Sequence, residues 1–311
     1  MTRKKSGILL RKEIVNDTYE VQVFIGEGAF GEVYRVKHKY LGLQVLKVFK
    51  EDYVKSADLD TLTKEAKILS QLTHPNIVRV FETNTFEKKN SLHYFITMGF
   101  VSGESLAQLL RREISVSAQT ALSIQIAFLK GLKEVHSQTP PIIHRDISPD
   151  NILLSYDDDL PRALLSDFGL AQSVDQMSHL AGAGGKYLYF APECFWGVYM
   201  PASDVFSAGI ILYRMLTGTY PWRYDFDGLT GDDREELATM IISSRKIRPS
   251  NPSEYNEECT QRMDEIVMRS LSSNLEDRYC NAKEFLDDLT IEWENMRVPK
   301  IDSYLAEQLY Y

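Results

Sequence analysis

Asp146 and Asn151 stand in the run His144-Arg145-Asp146-Ile147-Ser148-Pro149-Asp150-Asn151, and a further acid follows in Asp167-Phe168-Gly169. A hydrophobic helical run over 118–136 precedes the first stretch, the apolar strand Ile152-Leu153-Leu154 follows it, and Leu164-Leu165 leads into Asp167. Both stretches therefore read as loops at the ends of buried elements. An Asp so placed can accept the proton of an attacking hydroxyl. An Asn amide oxygen and a second carboxylate can together hold Mg²⁺ against phosphate oxygens. Upstream, Gly26-Glu27-Gly28-Ala29-Phe30-Gly31-Glu32-Val33 offers backbone N–H groups that anionic oxygens can approach with no Cβ in the way. Lys47, in the apolar strand Gln44-Val45-Leu46-Lys47-Val48, can reach the same phosphates as a compact cation. Singly, each feature has a plainer reading: a hairpin turn, a solvated edge-strand lysine, an Asp-x-Gly turn.

The elements that must position these groups fall into two blocks. Over 18–50, Tyr19, Val21, Val23 and Ile25 alternate up to the glycines, and Val33, Tyr34 and Val36 resume the pattern beyond them. β-type residues after the third glycine favour a strand–loop–strand flap over a dinucleotide-binding turn, which would open a helix there. Residues 57–72 switch to helical spacing with Glu65 in the middle, and Pro75 ends the helix. Strands are expected over 77–81 and 92–98, then mainly helices: 104–113, 118–136, 204–217, 233–244, 259–271 and 281–296. The change near Gly99–Gly103 marks a boundary between a small sheet-based lobe and a larger helical one, an α+β architecture.

Composition narrows the setting. The 311 residues are 44% hydrophobic and 25% charged, with net charge −9 and a pI near 5.3, which excludes a generic nucleic-acid binder. No apolar run approaches the roughly 20 residues of an integral membrane segment. Cys194, Cys259 and Cys280 are scattered without metal spacing, so a reducing, cytoplasmic setting is expected. Arg3, Lys4, Lys5, Arg11 and Lys12 make the first 17 residues basic, and the plain expectation is a solvated arm; Ile8-Leu9-Leu10 is too short for a signal peptide.

The order of these motifs resembles the protein kinases. His144 to Asn151 is similar to the catalytic loop H-R-D-L-x-x-x-N, with D-F-G behind it. Ala191-Pro192-Glu193 resembles the A-P-E that closes the activation segment, and Asp204-Val205-Phe206-Ser207-Ala208-Gly209 resembles D-x-W-S-x-G with Phe for Trp. The resemblance covers about 18–290 and implies a two-lobed protein-kinase fold: small lobe 18–98, hinge 99–103, large lobe 104–290, tail 291–311. It implies an ATP pocket bounded by Ile25, Gly26, Glu27, Gly28, Gly31, Val33, Val45, Lys47, Met98, Gly99 and Val101, with Met98 as gatekeeper. Glu65 would fix Lys47, Asn151 and Asp167 would bind Mg²⁺ (or Mn²⁺), Asp146 would be the base, and Arg278 would pair with Glu193. Pro149 fits the Ser/Thr-type K-P-x-N run, so the implied reaction moves the γ-phosphoryl of ATP to Ser/Thr hydroxyls of proteins. A homodimer would serve autophosphorylation, with Ser173 and Ser178 as candidate sites, although Gln172 stands where a phosphate-binding cation is frequent.

One departure bears on catalysis. Ser148 replaces a lysine that touches the transferred phosphoryl, while Lys186 replaces the threonine of G-T-x-x-Y-x that meets it. An exchanged pair, Lys186 supplying the cation and Ser148 the hydroxyl beside Asp146, is weighed against coincidence. A non-catalytic docking module of the same fold would have lost Lys47, Asp146, Asn151 or Asp167, and all four are present. A small-molecule phosphotransferase would lack the A-P-E segment and its arginine.

Overall fold

Alternation over 19–49 folds into three adjacent antiparallel strands, β2 (Tyr19–Glu27), β3 (Gly31–His38) and β4 (Gly42–Phe49), in the computed structural model. That model describes residues 7–28, 31–50, 70–156, 161–168, 185–224 and 234–297, the side chains of Lys186 and Arg234 excepted. With β1 (Ile14–Val15), β5 (Val80–Lys88) and β6 (Ser91–Gly99) they form a six-stranded sheet, ordered β1-β2-β3-β4-β6-β5. One face is apolar: Val21, Tyr34, Val36, Leu46, Val48 and Phe95 are buried together. Period-two alternation then sends Lys47 to the other face, in register with Val33 on one side and Ile96 on the other. Gly31 is required by β4, because a Cβ there would lie 2.2 Å from the Val48 carbonyl oxygen.

Two expectations change. From Gly7 on, the expected solvated arm is packed: Leu9 and Val15 are buried in the small-lobe core, and β1 pairs with β2. Ile8 N–H donates to Glu32 Oε2 at 2.6 Å and Leu9 N–H to the Tyr34 hydroxyl at 3.0 Å, so the start of β3 anchors it. The net basic composition concealed two apolar residues spaced to reach the core. The strand expected over 77–81 begins only at Val80 and continues to Lys88. Residues 76–78 instead pair with β9 (Arg162–Leu165): Val78 N–H reaches Leu165 O at 2.8 Å, and Leu165 N–H reaches Asn76 O at 2.9 Å. This stretch ties the small lobe to the strand leading into Asp167. The helix expected over 57–72, Glu65 included, lies outside the described residues except at 70–72, of which 70 and 71 are helical.

The large lobe contains, among the described residues, α1 (Leu106–Arg112), α2 (Ala118–His136), α3 (Pro201–Thr217), α4 (Arg234–Ser244), α5 (Gln261–Ser270) and α6 (Ala282–Arg297). A small sheet, β7 (Gly103–Ser105), β8 (Ile152–Ser155) and β9, lies beside them. Ser117 caps α2 by accepting from Thr120 N–H, and Ser105 forms a capping box with Gln108 on α1. The expected tail from 291 is helix through Arg297, with Glu292 buried and Trp293 packed on the core. α3 starts at Pro201, where a missing N–H costs nothing, and is buried along nearly its whole length. Gly209 permits this: a Cβ there would lie 2.2 Å from Ser270 Oγ on α5. Gly209→Ala should therefore destabilise the chain by about 1–3 kcal/mol in urea unfolding. Adding Ser270→Gly should recover most of that loss, whereas a lone Gly209→Ala of unchanged stability would show that α3 and α5 are not in tight contact.

Candidate active site

The Asp204 carboxylate, buried at the start of α3, holds the catalytic loop by its backbone. Oδ2 accepts from His144 N–H at 2.7 Å and Oδ1 from Arg145 N–H at 2.9 Å. His136, at the end of α2, adds a third donor. Its Nδ1 accepts from Ala282 N–H at 3.2 Å, so the proton sits on Nε2, which lies 3.0 Å from Asp204 Oδ2. Arg145 follows with φ +63°, a conformation non-glycine residues rarely hold unless their surroundings enforce it.

His144 is fully buried against the Phe168 ring, centroids 4.6 Å apart, and its Nε2 bonds Ser166 O at 3.1 Å. Burial holds its imidazole below the usual histidine range, so it stays neutral and keeps this single tautomer. Ser166 in turn donates N–H and Oγ–H to Asn151 O at 2.9 and 3.1 Å. The loop and the strand leading to Asp167 are thus one hydrogen-bonded unit.

Within that unit Asn151 donates both amide hydrogens to Asp146, to its carbonyl at 2.7 Å and to Oδ2 at 2.8 Å. The contact fixes the Asp146 carboxylate and leaves Oδ1 as the Asn151 atom suited to a cation. Asp167, at φ +52°, brings Oδ1 to 2.7 Å from Lys47 Nζ. An amide oxygen and a carboxylate are hard donors, which fits a Mg²⁺ that completes its shell with phosphate and water. The Lys47 partner seen is Asp167; the expected partner Glu65 lies outside the described residues.

The flap closes by Gly28 N–H to Gly31 O at 2.8 Å. A Cβ on Gly26 would meet nothing within 4 Å, so no protein packing demands that glycine, and bare backbone is left over the cleft. Cross-strand register places Val33 beside Lys47, and Val45 beside Met98. Ile25 is exposed at the rim, and Glu27 pairs with Lys50 at 2.8 Å. Gly99 N–H is committed to Arg79 O at 2.9 Å, and Val101 is partly buried against the core. The Ser148 hydroxyl is buried with no hydrogen-bond partner among the described residues. Ser173, Ser178 and the Lys186 side chain lie outside them.

Below the loop, Arg278 grips Glu193 at 2.7 Å with its own side chain wholly buried, and its guanidinium lies over the Phe206 ring at 4.8 Å. Asp204, His136, Ser207 and Arg245 are structural partners that sequence reasoning did not single out for a role. Asp204 and Ser207 lie inside a motif it quoted, but a pattern does not say which atoms they bind. His136 looks like an ordinary core histidine at a helix end, and nothing around Arg245 marks it.

A protein kinase domain model matches residues 19–289. A probable serine/threonine-protein kinase of Clostridium perfringens is 29% identical over 282 residues, covering 89% of this chain and 38% of that protein. A serine/threonine-protein kinase of Myxococcus xanthus is 30% identical over 283 residues, covering 87% and 49%. This chain thus spans less than half the length of either relative. The solved PknI kinase domain of Mycobacterium tuberculosis has the same fold, with TM-score 0.66 at 24% identity, over 91% of this chain and 99% of that one. The matched residues contain the flap, the Asp204-anchored loop and the Glu193–Arg278 pair, and this chain belongs to the protein kinase family.

Proposed function

We propose that this chain transfers the γ-phosphoryl group of ATP to Ser or Thr hydroxyls of proteins. The observation that carries the reading is the Asp146 carboxylate held by Asn151 across from the Lys47–Asp167 pair. The acceptor hydroxyl oxygen bonds the γ-phosphorus, the bond to the β,γ-bridging oxygen breaks, ADP leaves, and the hydroxyl proton passes to Asp146. Lys47 steadies the α/β-phosphates, aligned by Asp167 here and by Glu65 on the family pattern. The flap backbone covers the phosphates, while the Gly99 carbonyl and Val101 N–H take the adenine edge. Asn151 Oδ1 and Asp167 would hold Mg²⁺ or Mn²⁺, which neutralises phosphate charge when bound.

Supporting a Ser/Thr acceptor are Pro149 after the base and relatives described as serine/threonine-protein kinases. Ser173 and Ser178 are the candidate sites for modification by a second copy. Arg145, the natural receiver of such a phosphate, has its guanidinium over the Tyr199 ring at 5.3 Å. A reducing cytoplasmic setting is favoured by three free cysteines, two of them buried; burial raises the Cys194 thiol to about 12. Among the described residues no helix is long and apolar enough to cross a membrane. The division into lobes at 99–103 follows the passage from β6 to β7.

Asp146→Asn should cut phosphotransfer by about 10²–10⁴-fold while nucleotide affinity stays within about twofold. Labelled ATP and direct binding measure the two quantities, and a variant keeping more than about a tenth of wild-type transfer would falsify the assignment of Asp146 as base. The Ser148/Lys186 exchange is carried by the two matched departures in the sequence. Ser148→Lys and Lys186→Thr should each lose activity that the double variant recovers; strictly additive losses would rule the exchange out.

A further inference from the structure

Arg245 is a buried cation that the chemistry above leaves unused. It directly follows α4, its N–H continuing the helix to Ile241 O at 3.2 Å, and its side chain runs inward until only 3% of the residue is exposed. Among the described residues no carboxylate pairs with it. Burial pulls its guanidinium below the ordinary arginine value. A buried charge without a counter-charge is costly unless its donors are satisfied. Here the two terminal nitrogens are satisfied by backbone, while Nε is buried without a hydrogen-bond partner among the described residues. Nη1 donates to Phe190 O, and Nη2 to Leu188 O at 2.9 Å and more loosely to Tyr187 O at 3.4 Å. The intervening carbonyl, Tyr189 O, accepts from Ser207 Oγ at 2.7 Å. All four carbonyls of 187–190 are therefore fixed from below, three by one guanidinium. The same guanidinium lies over the Phe206 ring at 5.1 Å, which Arg278 also covers.

This stretch joins Lys186 to Ala191-Pro192-Glu193; on the exchange proposed above Lys186 serves Asp146, so the backbone that follows it leads away from the acceptor end of the site. We propose that Arg245 is a positioning residue for the acceptor: it sets the backbone of 187–190 against which a substrate peptide docks, and it has no part in holding ATP. A planar fork suits the task, since it spans successive carbonyls that a single ammonium cannot. This role rests on the proposed function, and ATP-side and acceptor-side kinetic parameters separate the two.

The test uses the whole chain with Arg245→Lys and Arg245→Met. An arrayed Ser/Thr peptide library is labelled first by wild type, and the best-labelled peptide is then used for kinetics. Charged hydrogen bonds of this strength correspond to about a tenfold to hundredfold effect. The acceptor KM should rise by about that factor in Arg245→Met and by less in Arg245→Lys, while the KM for ATP stays within about twofold. Amide exchange should quicken over 187–190 in Arg245→Lys. Wild type that labels no peptide would refute the parent reading and this role with it. Active variants with an unchanged acceptor KM would refute this role alone. Equal losses toward ATP and acceptor, or failure of both variants to fold, would assign Arg245 to stability and overturn the proposal.

Discussion

The buried carboxylate of Asp204 is the interaction on which the site depends. It accepts from two consecutive backbone N–H groups of the loop and from the Nε2–H of His136. Through these bonds α3, α2 and the N-terminus of α6 meet at the catalytic loop. A carboxylate can be buried only when its lone pairs are used, and here the loop supplies the donors. The consequence is geometric: with His144 and Arg145 fixed, Asp146 follows at a set position and orientation. The neutral His144 then carries the constraint to Ser166, Asn151 and the strand before Asp167. Asp146, Asn151 and the strand before Asp167 thus share one rigid frame.

A second constraint lies beneath residues 187–193. Arg278 and Arg245 both cover Phe206, one gripping the Glu193 carboxylate and the other three backbone carbonyls. The Phe206 ring also stacks on Trp222, centroids 5.8 Å apart and nearly parallel. The phenyl ring where the family carries Trp is thus part of an aromatic floor for two cations, and Trp222 adds the second ring.

Much of this was legible in the residues. The two-lobed architecture, the flap and the loop carrying Asp146 and Asn151 follow from alternation, helical spacing and motif order. Lys47 reaches the cleft because strand alternation leaves it no other face. The illegible parts have physical reasons. Leu9 and Val15 sit in a segment whose charge suggested solvent, and their burial depends on Glu32 and Tyr34 accepting backbone N–H groups from afar. Residues 77 and 78 read as the start of a strand, but the hydrogen bonds of 76–78 go to β9, a pairing that no local pattern encodes. Arg245 was invisible because its partners are main-chain carbonyls, which every residue has.

The most direct measurement is the steady-state kinetics of Asp204→Asn beside its nucleotide affinity. An amide keeps the shape but replaces one acceptor oxygen with a donor, opposing the N–H groups and His136. Misplacing the base by about 1 Å should lower kcat by about 10²-fold, with ATP affinity within about twofold of wild type and the chain still folded. A folded Asp204→Asn variant with wild-type kcat would contradict the claim that this carboxylate sets the catalytic loop.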